Sequence, residues 1–84
     1  MGSKLVLCGT TQFEAMLRQD GFTKKPRKKK GSHVCWIKRG QAIGGHFVVT
    51  VQLDQNEYGT ELLRRMINQA GWSLERYSEL LASI

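Results

Sequence analysis

His33-Val34-Cys35-Trp36-Ile37-Lys38 and Phe47-Val48-Val49-Thr50-Val51-Gln52 are two runs rich in β-branched and aromatic residues, and Arg39 to Gly45 between them carries three glycines. Runs of this kind joined by a glycine-rich connection predict two strands of an antiparallel hairpin. The second run is the clearer, bounded by Gly44-Gly45 before and Asp54-Gln55-Asn56 after. Its period-two alternation places Phe47, Val49 and Val51 on one face, expected to be the core face. Upstream, Phe22 to Lys25 predicts a short strand, which Pro26 ends or confines to an edge because it has no N–H for a ladder.

Helical patterns flank the strands. Thr11-Gln12-Phe13-Glu14 has the spacing of a capping box, and Phe13, Met16 and Leu17 then recur on one helix face. Asp20-Gly21 stops this helix, expected over Gln12 to Gln19, because glycine readily takes the left-handed conformation beyond a C-cap. After the strands, Thr60 is the expected N-cap of a helix with Leu62, Leu63, Met66, Ile67 and Ala70 on its apolar face and Gly71 at its end. Ser73 caps a third helix carrying Leu74, Tyr77, Leu80 and Leu81. The expected fold class is α+β, a two-layer sandwich in the order α-β-β-β-α(-α) with a three-stranded antiparallel sheet. Eighty-four residues predict a single domain, 1–84, with a thin core and a shallow surface site in place of a deep pocket.

Charge is concentrated in the middle of the chain. The net charge is +6, and between Gly21 and Leu53 there are eight Lys or Arg and no Asp or Glu. Six of the seven residues from Lys24 to Lys30 are basic, and the run leads into Gly31-Ser32-His33. A dense cationic block points to a polyanion, most commonly a phosphate backbone. Lys28, Lys29, Lys30, Lys38 and Arg39 flank His33 on both sides and are the first candidates for phosphate contacts, with Lys24, Lys25 and Arg27 less central. Ser32 has two readings: it orients His33 or donates to phosphate, or it only forms the turn into the strand.

An imidazole inside such a charge field is well suited to moving protons near neutral pH. On the residues alone, His33 is either this acid/base group or an ordinary strand-entry residue. His46 is expected to be an exposed strand residue. Cys8, His33, Cys35 and His46 include zinc-ligand types but lack the close paired spacing of a structural site, so neither metal nor cofactor is expected. Trp36 and Trp72 could stack on bases, yet core packing is the stronger expectation in so small a domain. No secretory signal is evident, no apolar run approaches the roughly 20 residues that span a bilayer, and two reduced cysteines suit a cytoplasmic protein.

Gly21-Phe22, Gly31-Ser32-His33, Gly59-Thr60 and Ile67-Asn68-Gln69-Ala70-Gly71, in this order between matching helices, resemble the HicA (YcfA-like) mRNA interferase toxin family. The resemblance runs from about Thr10 to Leu81. It implies a fold similar to a double-stranded RNA-binding domain, cleavage of mRNA by the histidine of the Gly-Ser-His motif (His33 here), and a HicB-type antitoxin as protein partner. The implied activity is that of a metal-independent endoribonuclease with His33 as general acid/base. One element departs from the family pattern: a Pro-x-His is common at the end of the third strand, and this chain reads Val51-Gln52-Leu53-Asp54. Two other readings therefore stay open, a non-catalytic RNA-binding module and an inactive family member that only binds its antitoxin.

Overall fold

The chain follows the order α1 (Thr10–Gln19), β1 (Thr23–Lys24), β2 (His33–Arg39), β3 (His46–Gln52), α2 (Thr60–Ala70) and α3 (Leu74–Ser83) in a computed structural model. The structure describes residues 5–25, 33–40 and 45–84. The three strands form one antiparallel sheet in the order β1-β2-β3. This is the expected α+β architecture, like that of a double-stranded RNA-binding domain. Pro26 follows just beyond β1, the two-residue edge strand. Gly40 N–H donates to the Gly45 carbonyl at 2.8 Å and closes the β2–β3 connection; residues 41–44 lie outside the described residues.

Alternation along the strands decides which side chains enter the core. Val34 and Trp36 of β2 and Val49 and Val51 of β3 are buried, together with Phe13, Met16 and Leu17 of α1, Leu63, Met66 and Ile67 of α2, and Tyr77 and Leu80 of α3. The helix layer thus covers one face of the sheet. Phe47 departs from expectation: it keeps the parity of Val49 and Val51 but is 39% exposed. It stands at the strand's start, opposite the C-terminal end of α2, where its ring lies over Gly71. A Cβ at Gly71 would stand 2.6 Å from Phe47 Cε1, and Gly71 also adopts φ +74°, so position 71 needs glycine for two reasons.

Two helix starts also differ from expectation. The N-cap of α1 is Gly9, not Thr11, and Gln12 Oε1 accepts from Gly9 N–H at 3.0 Å. Any side chain at position 9 would collide with the backbone, since a Cβ there would stand 2.2 Å from the Asn56 carbonyl oxygen. For α2 the cap is Gly59 and Thr60 is already helical. Tyr58 fixes this entry, with a buried ring and a backbone N–H that donates to the Cys8 carbonyl at 2.8 Å. Ser73 caps α3 as expected, accepting from Arg76 N–H at 3.0 Å.

Polar groups near the core are engaged. The Tyr77 hydroxyl donates to the Val6 carbonyl and lies 3.3 Å from Cys8 Sγ. Burial raises the pKa of the Tyr77 phenol, and the Cys8 hydrogen bond adds to the rise. Burial also raises the pKa of the Cys8 thiol, against the opposing effect of Tyr77. Both groups stay neutral and pack as core. Neither Trp is a free stacking platform: Trp36 donates its indole N–H to Glu14 Oε2 at 3.0 Å, and Trp72 donates to Asp20 Oδ2 at 2.8 Å.

Candidate active site

The uncovered face of the sheet follows from hydrogen-bond parity. Lys25 N–H donates to the Cys35 carbonyl at 2.9 Å, so Cys35 turns its backbone toward β1. Alternation then turns Val34 and Trp36 toward β3 and makes His33–Gln52 and Cys35–Thr50 two of the non-hydrogen-bonded pairs of the β2–β3 register. In such pairs the side chains approach most closely. These four side chains project from the face opposite Val34, Trp36, Val49 and Val51, away from the helices.

His33 is the first residue of β2 and is exposed on this open face. Arg39 has the same parity and is exposed at the other end of the strand, paired in register with His46. Six residues separate them, about 20 Å at a rise of ~3.3 Å per residue. His46 is an exposed strand residue, as expected, and stands well away from His33. Lys28, Lys29, Lys30 and Ser32 lie outside the described residues.

Lys38 has the opposite parity and a different setting. Its Nζ lies 3.1 Å from Asp20 Oδ2, at the C-terminal end of α1. The same carboxylate receives Trp72 Nε1 at 2.8 Å and Arg76 Nη2 at 2.9 Å. Burial opposes the charged form of Asp20, but the hydrogen bonds from Trp72, Arg76 and Lys38 outweigh it and hold the carboxyl below its ordinary pKa. Lys24 is similarly engaged, 3.3 Å from Glu14 Oε2 and 5.9 Å above the Trp36 ring. Two of the basic residues are thus tied to acids of α1 and its C-cap.

Two neighbours of the site, Thr50 and Gln52, escaped the sequence pattern, and a third, Lys25, ranked behind the other cations in it. Lys25 stands beside Cys35 and is exposed on the open face. Thr50 and Gln52 join it from β3. Their signal was the strand register, which no local motif carries. A shallow cavity of about 550 Å³ lined by Gly21, Thr23, Lys25, Ile37, Lys38 and Arg39 runs along the β1–β2 side of the sheet. Three of its six lining residues are cationic, so it suits a phosphate chain better than an apolar ligand.

The His33 end of the sheet is anchored from beneath. Thr10 Oγ1 donates to the Gln52 carbonyl at 2.8 Å, and Tyr58 Oη lies 2.7 Å from the same oxygen. Tyr58 Oη is also 2.9 Å from Thr10 Oγ1, which accepts from Gln55 N–H at 3.0 Å. Burial keeps the Tyr58 phenol protonated by raising its pKa, although the Thr10 hydrogen bond works the other way. Among the described residues no three His, Cys, Asp or Glu side chains gather to hold a metal ion. No helix among them is long and apolar enough to cross a membrane.

A three-stranded antiparallel sheet with its helices on one face, and with a histidine and cations on the other, defines a small protein of the double-stranded RNA-binding-domain type. Residues 11–72 match the family described as HicA toxin of bacterial toxin-antitoxin, and the chain belongs to that family. The matched segment contains the whole sheet and α2, while α3 lies beyond it. Neither a curated relative nor a solved structure matches the chain. Membership makes this chain the toxin half of a toxin–antitoxin pair and implies an antitoxin partner.

Proposed function

We propose that the protein is an mRNA interferase, a metal-independent endoribonuclease that uses His33 as its acid/base residue and is neutralised in the cytoplasm by a HicB-type antitoxin. The observation that carries this reading is the position of His33: exposed on the open sheet face of a HicA-family chain, with Lys25 and Arg39 on the same face. RNA laid along this face puts its phosphates near the cationic groove and a 2′-hydroxyl within reach of the imidazole.

Neutral imidazole takes the 2′-hydroxyl proton as that oxygen attacks the adjacent phosphorus. The O2′–P bond forms, the P–O5′ bond breaks, and the departing 5′-oxygen takes a proton from solvent on the opposite side. The products are a 2′,3′-cyclic phosphate and a free 5′-hydroxyl. Fixed cations stabilise the phosphoryl charge that builds in the transition state. Lys25 and Arg39 suit this role, with Lys28, Lys29, Lys30 and Ser32 as further phosphate contacts. Lys38 joins them by exchanging Asp20 for phosphate.

The test is incubation of the purified protein with labelled single-stranded RNA in excess chelator, beside a His33→Ala variant. Cleavage by the first protein alone supports the reading, and equal cleavage by both overturns it. A second reading, a family member that binds its antitoxin without cutting RNA, is favoured by one observation: the strand end carries Gln52-Leu53 where a histidine is common. RNA left intact by both proteins selects that reading.

A further inference from the structure

Gln52 is the residue directly across the sheet from His33, in a non-hydrogen-bonded pair. Side chains in such a pair have Cβ atoms about 4.5–5.5 Å apart on the same face. The face is the open one, and Gln52 is half-buried there while His33 is exposed. A carboxamide offers two N–H donors and no net charge. It can therefore hold a phosphoryl oxygen beside His33 without placing another cation against the imidazole.

The main chain of Gln52 is held by two side-chain hydroxyls. Its carbonyl faces away from β2 and meets the Thr10 and Tyr58 hydroxyls at 2.8 and 2.7 Å. Both partners are buried, Thr10 at 7% exposure and Tyr58 at 1%. This anchor uses only the main chain, so it leaves the side chain available and does not itself require glutamine. His46 cannot share the site, because it stands six residues along β3, about 20 Å away. Thr50 faces Cys35, one pair further along.

From this arrangement we infer that Gln52 completes the His33 site, its carboxamide N–H donating to a phosphoryl oxygen of the RNA whose 2′-hydroxyl His33 deprotonates. The inference deepens the endoribonuclease reading and rests on it. Because the anchor is a backbone contact, Gln52 variants are expected to keep the fold.

Two measurements test it. Cleavage of labelled single-stranded RNA is compared for wild type, Gln52→Ala and Gln52→Asn, with thermal melting of each as the check on folding. Gln52→Ala is expected to lower kcat/KM roughly 10- to 100-fold at unchanged melting temperature, the scale of one lost donor to developing charge. Gln52→Asn, which keeps the amide, is expected to recover part of the loss. Gln52→Ala within twofold of wild type overturns the inference. The second measurement needs no activity: NMR titration of both histidines in wild type and in the isosteric Gln52→Glu variant. A carboxylate across the pair favours imidazolium, so His33 is expected to titrate roughly 0.5–1 pH unit higher while His46 stays in place. An unchanged His33, or equal shifts in both, shows that the two side chains do not face each other and also overturns the inference. If wild type leaves RNA intact but His33 alone shifts, the nuclease reading fails while the pairing stands.

Discussion

The two faces of β2 use the same strand for opposite ends. On the inner face, Val34 and Trp36 are buried, the Trp36 indole is bonded to Glu14, and Lys38 is held by Asp20. On the outer face, His33 and Arg39 are exposed and Cys35 and Ile37 half-buried. Lys38 on the inner side is paired with an acid of the fold, whereas His33 and Arg39 on the outer side are exposed. Basic residues close in sequence therefore differ in setting according to parity: without a ligand Lys24 and Lys38 are held by Glu14 and Asp20, while Lys25 and Arg39 are exposed on the open face.

The contrast can be broken most sharply at His33. His33→Ala should reduce RNA cleavage by roughly 10²–10⁴-fold, as expected for loss of a general acid/base, with melting temperature and RNA affinity nearly unchanged. A large drop in melting temperature would place His33 among the structural residues instead. On the inner side the effect should be on stability. Asp20→Asn removes the charge that binds Lys38, Trp72 and Arg76, and should cost about 2–3 kcal/mol in chemical denaturation, the scale for hydrogen bonds to a charged group.

The same variant has a pH signature. Since the folded carboxyl of Asp20 lies below its ordinary pKa, its stabilisation is present above the unfolded-state value of roughly 3.9 and is lost as pH falls through the folded value. Asp20→Asn should therefore show a weaker loss of stability than wild type between pH 5 and the acid limit. Tyr58→Phe, which removes one of the two hydroxyls at the Gln52 carbonyl, should cost about 1–2 kcal/mol and leave the Thr10 bond in place. The smallest effect belongs to the outer cations. Lys25→Gln and Arg39→Gln should each lower the magnitude of the log–log salt slope of RNA binding by about 0.7, whereas Lys24→Gln should change it little.

Much of the fold was legible because it is written in local periodicity. The glycine-bounded run ending at Gln52, the apolar stripe of α2 and the Ser73 cap each carry their own signal, and each element formed where expected. The failures have a common physical origin in contacts between distant segments. Thr11 looked like the cap of α1, yet Gly9 takes that place because the carbonyls of Gln55 and Asn56 crowd it. Phe47 shares the alternation of Val49 and Val51, but nothing in its own strand says that α2 ends at Gly71 opposite it.

The site was legible only in part for the same reason. His33 and Arg39 stood out by composition, and both lie on the open face. The engagement of Lys38 by Asp20, and the pairing of His33 with Gln52, depend on segments 18 and 19 residues apart coming into one register. No window of sequence displays that.

The Thr10–Tyr58 anchor has a consequence for the order of assembly. It joins residues 48 positions apart, and the same hydroxyl pair secures the strand end opposite His33. A growing chain that has made the basic run, His33 and all three strands has Thr10 but still lacks Tyr58, the second hydroxyl at the Gln52 carbonyl. During synthesis the cationic segment emerges first and its proposed catalytic neighbourhood is secured only later, once Tyr58 can reach back to α1. In a chain made in this order, the strand end opposite His33 acquires its second tie only after Tyr58 has been added.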